Sequence, residues 1–258
     1  MLLRSNRISE IGKIAEDIVA VKSMPAEYGS EVQLQIGHVL FMDMVGYSKL
    51  LVDDEREIQE QLSQIVRSTQ QAAAAEEAGK LIRLPTGDGM ALVFFNSPEA
   101  PVYCAIDVAK KVKEHPKLKL RMGIHSGPVN EVRDVNDRIN VAGAGINTAQ
   151  RVMDCGDAGH ILVSKHAAED LAQSRQWRPC LHDLGACTVK HGTPVHVANF
   201  YAGDFGNPQL PDKFKHSRRT KILTPGTATK RWASIAAALI VTAAFALVVS
   251  YLLHRPVE

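Results

Sequence analysis

Apolar positions along this chain fall into short continuous runs separated by stretches of helical period. Val39, Leu40, Phe41 and Met42 form such a run, as a strand covered on both faces would, and Met44 and Val45 resume it after Asp43. Ile58, Leu62, Ile65 and Val66 recur at helical spacing and predict one helix continuing into the Ala-rich stretch near residue 75. Residues 80–95 read KLIRLPTGDGMALVFF, two apolar strands about a Thr-Gly-Asp-Gly turn, which predicts a hairpin with Asp88 at its tip. Ser97 before Pro98 reads as an N-cap with proline at the first helical position, opening a helix toward Glu114. Further strands are predicted at 118–126, 159–164 and 193–201. After Gly143 and Gly145 a helix should bury Ile146, Ala149 and Met153, leaving Asn147 and Arg151 four residues apart on a neighbouring face. Strands and helices mixed with hairpins predict an α+β sheet covered by helices.

The two ends depart from this pattern. Residues 232–253 run WASIAAALIVTAAFALVVSYLL without a charge, long enough to cross a membrane as a helix. Lys213, Lys215, Arg218, Arg219, Lys221, Lys230 and Arg231 precede the run and only Arg255 follows it among strong bases. By the positive-inside rule the N-terminal bulk is expected in the cytoplasm, anchored by a single pass. Residues 204–231, basic and holding Pro208, Pro211 and Pro225, read as a linker able to lie along anionic headgroups, and 254–258 as a short tail. At the start, Ile8, Ile11, Ile14, Ala15 and Ile18 form a helical stripe rather than a signal peptide. Residues 1–35 are therefore expected as a helical segment packed on the domain or on a partner.

Composition narrows the functions available. The 258-residue chain carries a net charge of +2 and 5% aromatic residues, so neither a basic footprint nor stacking platforms point to nucleic acid. Cys104, Cys155, Cys180 and Cys187 lack CxxC spacing, and reduced thiols are the simplest account of them. The chemistry-bearing feature is the pair Asp43 and Asp88. An unpaired carboxylate in an apolar strand costs several kcal/mol, so something positive should sit beside Asp43. Either aspartate alone is an ordinary turn residue. Two apolar strands each delivering one aspartate beside glycines suit divalent cations and the close approach of a phosphate. Arg151 then offers a fork of donors for charge developing on phosphorus.

Taken in order, VLFMDMVGYSKL, LPTGDGMALVFF, LRMGIHSGPV, GAGINTAQRVMDCGDAGHILVS and VKHGTPVHVANFY resemble the catalytic domain of the class III nucleotidyl cyclases over residues 36–203. The resemblance implies a ferredoxin-like α+β core, a head-to-tail homodimer with active sites at the interface, and conversion of a nucleoside triphosphate to a 3′,5′-cyclic monophosphate and pyrophosphate. It implies two Mg2+ or Mn2+ ions per site on Asp43 and Asp88, with the Met44 carbonyl as a further ligand. The amides of Val45, Gly46, Tyr47 and Ser48 would lie near the phosphates. Asn147 would orient the ribose, Arg151 stabilise the pentavalent transition state, and Lys190 hold the terminal phosphates, although His191 interrupts the usual Lys-Gly pair.

The base-reading positions depart from the family. Where its adenylate cyclases have a lysine and an aspartate or threonine, this chain has Leu84 and Asn140, while strand alternation points the adjacent Arg83 to the opposite face. Two readings stand: a membrane-anchored adenylate cyclase taking ATP ahead of GTP, and a degenerate cyclase-like domain serving as a tethered nucleotide-binding or regulatory module. Asp43, Asp88 and Arg151 together favour the enzyme, and the TGDGM hairpin tip argues against a diguanylate cyclase.

Overall fold

The structure, a computed structural model, describes residues 34–133, 139–189 and 194–215. The expected N-terminal helix, Lys190, most of the expected linker and the apolar run 232–253 lie outside the described residues. Among the described residues no helix is long and apolar enough to cross a membrane.

One mixed sheet organises the chain. Its strands are β1 (Leu34–Met44), β2 (Leu81–Pro85), β3 (Gly89–Phe94), β4 (Leu120–Arg133), β5 (Ile139–Ala142), β6 (Ile161–Ser164), β7 (Leu181–Thr188) and β8 (Pro194–Phe200). They run in the order β2-β3-β1-β4-β6-β8-β7, with β5 paired to β4 off this path. The central strand β1 is antiparallel to both β3 and β4, and β4 to β6 is the parallel pair. The helices are α1 (Val52–Arg67), α2 (Gln70–Glu77), α3 (Ala100–Val112), α4 (Ala144–Met153) and α5 (Lys165–Leu171).

Side-chain alternation on β1 divides the interior in two. Leu40, Met42 and Met44 point to one face and pack with Ile58 and Leu62 of α1, Ala72 of α2, Val102 of α3 and Ala168 of α5. Val39 and Phe41 point to the other face and pack with Ala149 and Met153 of α4. Each fully buried Leu or Met contributes about 1.5–3 kcal/mol, so β1 is fixed in register from both sides. Asp43 follows Phe41 by two residues and therefore lies on the α4 face.

Three predicted elements are corrected. The long helix toward residue 75 breaks at Ser68 and Thr69, because their hydroxyls turn back onto the Ile65 and Val66 carbonyls (2.7 and 2.8 Å). Thr69 Oγ1 then accepts the Ala72 N–H and caps α2. Helix α3 begins at Ala100 instead of Pro98: Ser97 Oγ accepts the Glu99 N–H, and Glu99, held by Trp177 Nε1 at 2.6 Å, is the residue before the helix. The stretch 204–215, expected to open a linker, instead packs on the domain, with Phe205 and Phe214 buried. In α4 the buried residues are Gly145, Ala149, Val152 and Met153, with Ile146 partly buried beside them.

Candidate functional site

The site forms where β1 ends. Asp43 faces Gly89 across β3 and Arg121 across β4. The β1–β3 approach is close enough that a Cβ on Gly89 would meet the Met42 carbonyl at 2.1 Å, so no larger residue fits beside Asp88 without parting the strands. The hairpin tip is fastened to the rest of the site: Met44 N–H donates to the Asp88 carbonyl (2.9 Å), and Gln59 Nε2 of α1 donates to the Gly87 carbonyl (2.6 Å). Beyond Met44 the chain turns sharply through Gly46 at φ 85°, a conformation glycine adopts without strain, and enters a single 3-10 turn over Tyr47–Lys49.

These pieces enclose a pocket of about 320 Å3 lined by Asp43, Asp88, Arg121, Gly156, Asp157 and the turn 44–48. The metal-binding and phosphate-side positions expected from the sequence thus converge, with one correction. The Val45 N–H donates to the Lys119 carbonyl at 2.7 Å and is closed to a phosphate, leaving Gly46, Tyr47 and Ser48 as the turn's contribution. Asn147 and Arg151 are exposed on α4 and do not line this pocket. Leu84 packs against the cluster of Val39 and Phe41, while Arg83 reaches Glu76 of α2 on the other face, as alternation predicts. Asn140 lies on β5, which touches β2, and its Oδ1 accepts the Val141 N–H at 2.7 Å.

The positive group demanded by Asp43 is Arg121, which the sequence reading passed over. Its Nε and Nη2 donate to Asp43 Oδ2 at 2.9 and 2.7 Å, and Nη2 also meets Asp154 Oδ1 at 3.3 Å. The signal was present: an arginine two residues into a strand antiparallel to β1, which only the register sets opposite Asp43. Asp154 and Asp157 follow α4 and were missed because only the path of the loop brings them to the site.

Burial pushes the Asp43 carboxyl above the usual carboxylate range and Asp88 adds to this, while Arg121 pulls the other way. A carboxyl with a raised folded-state pKa destabilises the fold once it is ionised, and the penalty disappears as pH falls below the ordinary aspartate value of about 4. The metal-free Asp43→Asn protein should therefore melt at or above the wild-type temperature at neutral pH, with the gap closing toward pH 4. Melting curves across that range check this, and a variant clearly less stable at pH 7 would contradict it.

Arg121 also tests whether divalent cations fit. Two carboxylates and a nearby backbone turn form a hard oxygen donor set of the kind Mg2+ or Mn2+ takes, and Asp43 already draws a cation to one of its oxygens. Among the described residues no three His, Cys, Asp or Glu side chains form a closed metal cage, so any ion here must share its coordination with a ligand or with water.

A family model described as the adenylate and guanylate cyclase catalytic domain matches residues 102–198. No curated protein matches the chain. Among solved structures, it is similar to the adenylyl cyclase CyaB from P. aeruginosa, at 20% identity over 69% of this chain and 100% of that one, with a TM-score of 0.55. An adenylate/guanylate cyclase/hydrolase from Silicibacter pomeroyi is 26% identical over 66% of this chain and 99% of its own, at TM-score 0.51. The guanylate cyclase domain of RhGC from Catenaria anguillulae, solved in complex with GTP, is 21% identical over 65% of this chain and 97% of its own, at TM-score 0.52.

Proposed function

We propose, from the match of residues 102–198 to the adenylate and guanylate cyclase catalytic domain and the likeness to solved cyclases, that this chain is a membrane-tethered homodimeric cyclase acting on ATP in preference to GTP. The observation that carries the reading is the convergence of Asp43, Asp88, Arg121 and the turn 44–48 on one pocket. In the proposed reaction the ribose 3′-oxygen bonds to the α-phosphorus, the bond to pyrophosphate breaks, and the hydroxyl proton passes to solvent. Asp43 and Asp88 would hold two Mg2+ or Mn2+ ions, with the Met44 carbonyl as a further ligand. The ions would supply Lewis acidity to the hydroxyl and neutralise charge on the leaving pyrophosphate. Gly46, Tyr47 and Ser48 orient the phosphates through backbone donors. From the partner protomer, Asn147 orients the ribose and Arg151 stabilises charge that exists only in the transition state. Lys190 takes the terminal phosphates.

Two observations support assembly and tether. Val45, Leu51 and Val52 expose large apolar side chains beside the pocket, as a surface awaiting a second protomer would. The uncharged run 232–253 behind a basic stretch favours a single pass with the catalytic domain, residues 36–203, on the cytoplasmic side.

One experiment tests turnover and tether together. Washed membranes from cells expressing the full chain should form cyclic AMP from ATP with Mn2+ or Mg2+, and the Asp43→Ala chain should not. Activity confined to the soluble fraction would remove the tether. Absence of turnover from both ATP and GTP in every fraction would leave the regulatory module.

A further inference from the structure

After β8 the chain runs back across the loop that follows α4 and is fastened there at several points. Asn207 Nδ2 donates to the Ala158 carbonyl (3.1 Å), and the Asn207 carbonyl accepts from Asn199 Nδ2 (2.8 Å). His160, 1% exposed, bridges the two segments: Nε2–H donates to the Gln209 carbonyl (2.8 Å), and Nδ1 lies 3.1 Å from both the Asp157 N–H and the Asp157 carbonyl. Asp212 N–H donates to Asp157 Oδ2 (2.8 Å), and Lys213 Nζ donates to the Asp154 carbonyl. Phe214 is buried with Val152, Cys155, Leu162, Cys187 and Val197.

The residues so held are the two that face the site from behind. Asp154 shares the Arg121 guanidinium with Asp43, and Asp157 lines the pocket. We propose that residues 207–214 are a positioning strap, which sets the division of Arg121 between Asp43 and Asp154 and thereby the readiness of Asp43 to accept a cation. The inference rests on reading Asp43 and Asp88 as a divalent-cation site and is independent of turnover. While the strap holds the loop at 154–157, Asp154 draws part of the guanidinium off Asp43. With the strap loosened, Arg121 settles on Asp43 alone and an incoming cation must displace it.

Partners one step removed from a ligand set affinity by orienting it, commonly by about tenfold. The test is Mn2+ affinity of the full-length chain, read from loss of the free-ion paramagnetic signal with and without ATP, well below the melting temperature of every variant. Phe214→Ala and Lys213→Ala should each weaken Mn2+ binding about tenfold, and Phe214→Leu should restore most of it. The lysine variant is the discriminating one, since losing a cation near the site would by field alone tighten Mn2+ binding. Should Phe214→Ala fail to fold, Lys213→Ala and Asn207→Ala, which leave the apolar cluster intact, decide the matter. Unchanged affinity in variants whose melting temperature drops would reduce the strap to a stability element, and a wild type that binds no Mn2+ would overturn the proposal. Mn2+ binding that responds to the strap in a chain without turnover would sink the cyclase reading and leave the strap standing.

Discussion

An equal mixture of Asp43→Ala and Arg151→Ala chains should regain cyclase activity that neither variant has alone. Asp43 sits in a pocket at the end of β1, whereas Arg151 stands exposed on α4 and does not line that pocket. If a single protomer carried the whole reaction, Arg151 would have no charge to face, and its fork of donors would be an ordinary exposed surface feature. If the pocket of one protomer is closed by α4 of the other, each substitution disables both sites of its own homodimer. Loss of a metal ligand or of a transition-state donor should lower kcat by about two to three orders of magnitude or more. In a heterodimer, one site receives both substitutions and the other receives neither. Random pairing makes half the dimers mixed, so roughly a quarter of wild-type activity should return under two-fold symmetry. A mixture that stays inert although heterodimers are shown to form would end the composite-site model, leaving the pocket chemistry in question.

What could be read from the sequence followed the strength of each local pattern. Strands β1 and β3 lie inside the sheet and their near-continuous apolar runs announced them, whereas the central strand β4 was announced by alternation, with Leu120, Met122 and Ile124 turned into the core. Strand β7 was missed because it is the sheet edge: every residue but Cys187 is half buried or exposed, and the irregularity between Asp183 and Gly185 breaks the alternation. Helix α5 has seven residues, too few to display a period, and β5 has four. The site divides similarly. Asp43 and Asp88 were legible because each interrupts an apolar run beside glycine. Arg121, Asp154 and Asp157 were not, since an arginine in a strand and aspartates after a helix acquire meaning only from register and from the path of the returning chain.

In the proposed cyclase reaction the purine would be read by two side chains, on strands β2 and β5, which touch without pairing. Leu84 on β2 packs with Val39 and Phe41 and can give no hydrogen bond to a purine. Asn140 on β5 spends its Oδ1 on the Val141 N–H, so the group it can turn toward a base is the amide NH2. That donor serves the N1 acceptor of adenine or the 6-oxo group of guanine, which leaves discrimination to the apolar wall at Leu84. Such a wall tolerates the less polar edge of adenine and offers guanine no acid for its N1–H. ATP should accordingly exceed GTP in kcat/KM by a modest margin. One missing charge-assisted hydrogen bond corresponds to about 1.5–3 kcal/mol, or roughly ten- to a hundredfold. Asn140→Asp should widen that margin, because it removes the donor that guanine would use and presents an acceptor to the adenine 6-amino group. Paired kcat/KM measurements on ATP and GTP for wild type and Asn140→Asp check this. A wild type that turns over GTP as well as or better than ATP would reverse the substrate assignment and leave the pocket chemistry untouched. An unchanged ratio in the variant would free Asn140 from base contact and return it to capping the backbone ahead of Gly143.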